Sequence, residues 1–315
     1  MTCHNCQTLA KKAGWFISGS QRIQRYRCKQ CGKTFGDIPE RPLDDLRTPL
    51  DKACKVVHLL CEGVGIRSCE RLTGLHRDTV LAILETVGVK CARLLDQRLQ
   101  WIQCEHVQVD ELWAFVGCKQ RNSQQDEERG DQYTYLGMDK DTKLIISHFV
   151  GKRDREAAGF FMRDLRSRIT SRFQLSTDGF AAYRGYEGAV FQTWKHDVDF
   201  GTIVKLFAAN VSQPHTRYSP PQCIGIKKQP ECGIPRMDLI CTSHVERQNL
   251  SMRLFNRRMT RLTMGYSKKL RNLKHSVAIQ IAFHNFCRIH SKHGMTPAQA
   301  AGLTDRKWEI KELLG

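Results

Sequence analysis

His106-Val-Gln-Val-Asp-Glu-Leu-Trp-Ala-Phe-Val-Gly117 is dense in Val, Leu, Trp and Phe and reads as a strand into which two acids have been set. Working outward, residues 133–138 and 144–150 read as two more strands, with Asp139-Lys-Asp at the turn between them. Residues 153–168 carry Ala157, Phe160, Phe161 and Leu165 at helical spacing. Residues 173–177 form a fourth strand that runs into Asp178-Gly179, and 180–186 a short helix.

Three strands, a helix and a further strand is the order of a ribonuclease H-like α/β core. In that order the first and fourth strands lie side by side, so Asp110 and Asp178 become neighbours. Each interrupts an apolar run, where a charge is costly unless a cation or partner offsets it. Strand alternation points Glu111 to the opposite face from Asp110. Carboxylate oxygens suit Mg2+, and a pair of such ions supports an in-line displacement at phosphorus. In a chain with 32 acidic residues, an Asp, Asp, Glu series can also arise by chance.

The third acid sits further along, in Thr242-Ser-His-Val-Glu-Arg-Gln-Asn, which opens a long basic helical pattern reaching Asn285. Met252, Phe255, Met259 and Leu262 share one face of that pattern, and Glu246, Asn249, Arg253, Arg257 and Thr260 share another. Ser243 and Glu246 have the spacing of a capping box. Between Glu246 and Asp305 there is no carboxylate but a ridge of Lys and Arg that includes Arg257, Lys268 and Lys269. Glu246 is therefore either a third metal ligand at the edge of a phosphate-binding surface or simply the cap of its own first turn. Val277, Ile281 and residues 283–286 form a second apolar stripe, and Pro297 is placed to start a helix.

Toward the N-terminus, Cys3 and Cys6 form one C-x-x-C pair and Cys28 and Cys31 a second. Two matched pairs read as a tetrahedral Zn2+ site, with a redox pair or two unrelated turns as the alternative. Asp37-Ile-Pro-Glu-Arg-Pro, with Pro39 and Pro42, reads as a linker. Helical patterns then cover 49–62, 67–72 and 77–87, with a glycine turn at Thr73-Gly74-Leu75; Val80, Ile83, Leu84 and Val87 point inward. This is either a helix-turn-helix that offers His76, Arg77 and Thr79 to a major groove or an ordinary three-helix unit. From Cys91 to Gln103 the helical pattern continues as a connector.

Composition agrees with a nucleic-acid partner. The 315 residues carry 50 Lys and Arg against 32 Asp and Glu, a net charge of +18. Such a balance calls for a polyanion. No apolar run of membrane-spanning length or secretory leader is expected, so a cytoplasmic, nucleoid-associated protein is, and the 14 cysteines read as thiols or metal ligands.

At this point three blocks resemble the catalytic motifs of insertion sequence 1 family transposases. They are Val109-Asp-Glu-Leu-Trp-Ala-Phe-Val-Gly with Lys119, Thr177-Asp-Gly-Phe-Ala-Ala-Tyr, and Val245-Glu-Arg-Gln-Asn-Leu-Ser-Met-Arg. Arg261-Leu-Thr and Tyr266-Ser-Lys-Lys are similar to that family's basic helix and the turn after it. Arg25-Tyr-Arg-Cys-Lys-Gln-Cys-Gly-Lys-Thr-Phe and Gly63-Val-Gly-Ile-Arg-Ser resemble its zinc finger and helix-turn-helix, and Gly294-Met-Thr-Pro-Ala-Gln-Ala-Ala-Gly its tail. The resemblance implies a DDE transposase that acts on double-stranded DNA, both transposon ends and target. It implies Asp110, Asp178 and Glu246 as ligands of Mg2+ or Mn2+, and a homodimer or larger homo-oligomer of bacterial or archaeal origin. Helix phase adds Asn249 and Arg253, with Arg247, as groups that steer phosphates.

The segments expected are a zinc ribbon over 1–40, a helix-turn-helix domain over 41–104, a catalytic domain over 105–264 and a basic helical C-terminus over 265–315. The founding family members divide the DNA-binding and catalytic parts between overlapping frames, whereas this chain is continuous. It also has an insert at about 194–241, containing Tyr218-Ser-Pro-Pro-Gln-Cys and similar to that of the single-frame branch. His215, Cys223, Cys232 and Cys241 are spaced too widely and evenly for a knuckle, so free or buried thiols are expected there in preference to a second zinc site. A DNA-binding regulator without catalysis, and a nuclease on the same fold, are the competing functions.

Overall fold

The structure is a computed structural model that describes every residue except 4–5, 7, 19–20, 37–42, 45, 125, 208–222, 262 and 315. The linker prolines Pro39 and Pro42, Leu262, His215 and the Tyr218 motif lie outside the described residues. The chain divides into two compact units, Met1–Arg47 and Thr48–Leu314.

The first unit is a three-stranded antiparallel meander: β1 (Ala10–Ser18), β2 (Gln21–Cys28) and β3 (Thr34–Gly36), in the order β1-β2-β3. Among its described residues few apolar ones are buried, chiefly Ile23, Leu43 and two cysteines, while Leu9, Trp15 and Ile17 are exposed. So little buried area leaves a fold of this size short of stabilisation from packing alone.

The second unit opens with α1 (Leu50–Cys61), α2 (Ile66–Thr73) and α3 (Arg77–Arg98). Gly74 ends α2 in the left-handed region at φ 69°, a conformation that glycine adopts without a Cβ penalty. The Glu70 carboxylate then accepts from the N–H of Arg77 at 2.9 Å, which caps the start of α3. Val80, Ile83, Leu84 and Val87 are buried as expected. The expected connector after Cys91 is the same helix continued, 22 residues in all.

A six-stranded mixed sheet follows: β4 (His106–Val116), β5 (Gly130–Asp139), β6 (Ile145–Gly151), then α4 (Arg155–Arg168), β7 (Gln174–Asp178), α5 (Ala189–Trp194), β8 (Asp199–Phe207) and β9 (Cys223–Cys232). The order is β6-β5-β4-β7-β8-β9. The pairs β6–β5, β5–β4 and β8–β9 are antiparallel, and β4–β7 and β7–β8 are parallel. The first and fourth strands of this unit are thus neighbours. The hairpin partners β8 and β9 were not assigned from the sequence; they lie largely in the segment read as an insert and extend the sheet.

Helices cover both faces. On one face Phe161 of α4 packs against Tyr135 with ring centroids 5.5 Å apart. On the other lies α6 (Ser243–Phe255), where the Gln108 amide oxygen accepts from the N–H groups of His244 and Val245 at 3.0 and 3.2 Å. The continuous helix expected across 242–285 is interrupted. Asn256 is extended (φ −125°, ψ 105°), a single 3-10 turn spans Arg257–Met259, and α7 (Leu270–Ala282) begins afresh before a π turn at Phe283–Cys287. Asn256 binds both backbone and hydroxyl of Ser276, so the break is fixed by side-chain hydrogen bonds that periodicity does not register. Arg257 and Thr260 therefore do not continue the face of Glu246. The expected Ser243 capping box is also absent; Thr242 is the N-cap, and its hydroxyl donates to Glu246 at 2.6 Å. Last comes α8 (Pro297–Ala300), capped by Thr296 and Gln299 with Pro297 in its first turn.

The segments read as 41–104, 105–264 and 265–315 share this unit from Thr48 onward. A Cβ on Gly88 of α3 would come within 2.3 Å of the His275 Cβ on α7, so these two helices meet at a glycine contact. Arg168 of α4, only 6% exposed, donates to the Leu95 and Leu99 carbonyls and to Asp96, fastening α3 to the sheet layer.

Candidate metal centres

In the first unit the two C-x-x-C pairs converge. Sγ of Cys3 lies 3.6 Å from that of Cys31, Sγ of Cys6 lies 3.3 Å from that of Cys28, and all four sulfurs fall within 4.8 Å of one another. A tetrahedral site with Zn–S near 2.3 Å needs sulfurs about 3.8 Å apart, so the donor set fits zinc. The turn geometry is local: Cys28 O accepts from Gly32 N at 3.1 Å, and Cys3 N donates to Thr8 O at 2.8 Å. The Cys31 N–H and then the Thr8 hydroxyl hold the Cys28 thiol down at about 5. Cys31 moves to about 11, because burial and the neighbouring thiols outweigh the lowering hydrogen bond at Lys33. Four thiols can hold one dication here.

In the second unit the pairing of β4 with β7 stops at Gln108↔Ser176, and two residues further along Asp110 and Asp178 stand level on adjacent strands. Their carboxylates and that of Glu111 supply ligand atoms within 4.8 Å of one another. The presence of Glu111 corrects the expectation that alternation would take it away. Its Cβ does leave on the α4 face, where Tyr183 donates to it and Arg153 pairs with it at 3.0 Å. However, β7 ends at Asp178, so beyond that level β4 has a strand neighbour only on its β5 side, and the longer glutamate side chain reaches the open edge.

Burial raises both strand acids. Asp110 is pushed up to about 6, first by burial and also by Asp178 and Glu246, against the lowering hydrogen bonds at Glu111 and Asn249. Glu111 is pushed up to about 7 by burial and Asp178, against Tyr183 and Arg153. Crowded, desolvated carboxylates of this kind favour either a proton or a cation. Asn249 Nδ2 donates to Asp110 Oδ2 at 2.8 Å, while its own Oδ1 is buried without a partner, an acceptor suited to a metal-bound water. The donor set therefore fits a hard divalent ion.

Glu246 is close enough to raise Asp110 but is not within the cluster. Its carboxylate is chelated by Lys205 Nζ at 2.7 and 2.6 Å. Burial would raise the Glu246 carboxyl, but Lys205 and Thr242 outweigh it and the net direction is down. Arg153, which no sequence motif singled out, pairs with Asp178 at 3.2 Å as well as with Glu111, and its guanidinium lies 4.0 Å over the Phe180 ring.

The basic residues divide. Asn249 is buried on Asp110 and Arg253 spends one nitrogen on the carbonyls of Trp113 and Met259, so both hold α6 against β4. Arg77, Arg257, Lys268 and Lys269 are exposed, and Thr79 is half-buried. Lys268 Nζ sits 3.1 Å over the Tyr266 ring. Cys223 and Cys232 lie at opposite ends of β9, about 30 Å apart along an extended strand, and do not share a metal. No helix of the described residues is long and apolar enough to cross a membrane.

The chain matches no model of a known protein family and no curated protein.

Proposed function

We propose that this chain is a metal-dependent enzyme of the ribonuclease H-like class that cuts and joins DNA strands. More particularly, we propose a DDE transposase of the insertion sequence 1 type, binding the ends of its element as a homodimer or larger assembly. The observation that carries the reading is the level placement of Asp110 and Asp178 on parallel neighbours β4 and β7, with Glu246 of α6 outside their cluster but near enough to act on Asp110. The strand order, three antiparallel strands followed by two parallel ones, is the order of that class. Divalent ions, when bound, would activate the attacking oxygen and stabilise the leaving one. The chain's own part is to hold the carboxylates: Asn249 orients Asp110, and Phe180 N donates to Asp178 Oδ1 at 2.9 Å. The exposed Arg257, Lys268 and Lys269 would position the backbone, and α3 would present Arg77 and Thr79 to a groove.

The test is Asp110→Asn, which keeps an acceptor for Asn249 but removes the charge. Strand cleavage and strand joining with Mg2+ or Mn2+ on duplexes carrying the inverted repeats that flank the coding frame are expected to vanish, with DNA binding unchanged. Cleavage that survives the substitution sinks the assignment. One observation favours a second reading, a DNA-binding regulator without catalysis: Arg153 and Lys205 already neutralise carboxylates of the site. Wild-type protein that binds paired ends but never cuts would establish it, and cutting without joining would indicate a nuclease.

A further inference from the structure

A second cationic feature lies on the opposite side of α6 from the acidic cluster. Glu246, Asn249 and Arg253 project from one face of the helix; Arg247 and Ser251 project from the other and line a cleft of about 440 Å³. Lys143, from the turn between β5 and β6, and Arg288, after the π turn, complete its charged lining, with Gln248 and Gln280 as neutral donors. No carboxylate lines it. Among the described residues none of the three cations is in contact with a carboxylate, and Asp139 and Asp141, which act on Lys143 from a distance, have contact partners of their own. Asp139 accepts from the Asp141 and Thr142 N–H groups and the Thr142 hydroxyl, and Asp141 faces His106 at 3.8 Å.

We propose that this cleft binds a DNA backbone phosphate, as a site separate from the acidic cluster. The proposal rests on the reading of the chain as a DNA strand-transfer enzyme. Lys143 is the central observation. It is 6% exposed, and its ammonium donates to the Lys140 carbonyl with no carboxylate in contact; burial and the nearby Lys292 push it down to about 8, against the more distant Asp141 and Asp139. Such a group is costly unless an anion joins it. Its backbone is left-handed at φ 65°, where a side chain other than glycine is rare. That conformation is locked by His284, whose Nε2 meets the Lys143 carbonyl at 3.0 Å, and by Asn285, which binds Ile145 N and O at 3.0 and 2.9 Å. Arg288 is likewise fixed, 3.7 Å over the Phe255 ring. Two planar guanidinium forks and one ammonium in a concave site match a phosphate oxygen set. A helix is about 10 Å across, so a strand engaged at Asp110 would pass this cleft within a few nucleotides.

The test uses the full chain without added Mg2+ and a short fluorescent duplex of mixed sequence, with affinity measured across a salt series. Lys143→Gly, Arg247→Gln and Arg288→Gln should each reduce the slope of log affinity against log salt by about one, and the triple variant by about three. Lys143→Gly suits the left-handed backbone, so its melting temperature should hold while its affinity falls. Arg163→Gln, an exposed cation on α4, should change neither slope nor affinity. A triple variant with wild-type slope and affinity overturns the proposal, as does a loss equalled by Arg163→Gln. Cleavage by Asp110→Asn would remove the catalytic reading alone, because the salt slopes involve no catalysis.

Discussion

The two metal-ligand clusters of this chain differ in what already neutralises them. The four thiols of the first unit stand within 4.8 Å of one another, in hydrogen-bonding contact with each other and with the Thr8 hydroxyl. The carboxylates of the second unit are threaded with the protein's own cations, Arg153 on Glu111 and Asp178 and Lys205 on Glu246. The first cluster is therefore expected to depend on an ion for its fold, whereas the second sits in a packed sheet and any ion there meets carboxylates that already have partners.

The largest consequence is for stability. Structural zinc in small ribbons supplies an apparent 10–16 kcal/mol at neutral pH, far more than the few buried apolar residues of the first unit can replace. Cys28→Ser, or a zinc chelator, should abolish the ordered signals of β1–β3 while the main melting transition of the second unit stays in place. Amide hydrogen exchange read per segment checks this. Retained protection over Gln21–Cys28 after metal removal would erase the contrast between the two units.

Acid should act on both units by different routes. In the first, protons compete with the metal for thiolates. In the second, His284 is 7% exposed, and burial holds its imidazole down at about 4. The unfolded chain therefore binds the extra proton between about 6.5 and 4, so stability is complete above that window, falls as pH drops through it, and changes no further below it. The loss from this one group is about 3 kcal/mol. His284→Gln should flatten that part of the stability curve of the second unit, and added zinc should rescue only the first. A curve equally steep in the variant would mean that other groups set the acid response.

The same contrast explains what could be read from the sequence. The four-thiol cluster is written locally: two C-x-x-C pairs on tight turns, legible without any tertiary knowledge. Asp110 and Asp178 were legible through the strand order, which put their strands side by side, and through the motif blocks around them. Glu111 was missed because alternation describes where a Cβ points and says nothing about where β7 ends. Arg153 belongs to no motif and becomes visible only through what it touches. Strands β8 and β9 were hidden because they lie largely within the segment that reads as an insert. Conversely, the break at Asn256 was invisible because an apolar and basic helical rhythm continues straight across it, while two hydrogen bonds to Ser276 decide otherwise.

The smallest expected effect bears most directly on the acidic cluster. Arg153 is a third exposed whereas the Glu111 carboxylate is 2% exposed, so Arg153→Ala leaves a buried acid without its ion partner. Removing one member of a buried pair costs 3–5 kcal/mol, and the exposed guanidinium reduces that to about 1–3 kcal/mol here. Part of the loss will be met by Glu111 taking a proton, which it is already inclined to do at about 7. If Arg153 competes with an ion for Glu111 and Asp178, the variant should be less stable than wild type in chelator yet gain more in melting temperature on addition of Mn2+ or Mg2+. A variant that loses its response to metal would instead make Arg153 an organiser of the cluster, since the carboxylates would then need its guanidinium to stay in reach of one another. The sign of that difference decides whether the second cluster is inhibited or assembled by its own cations.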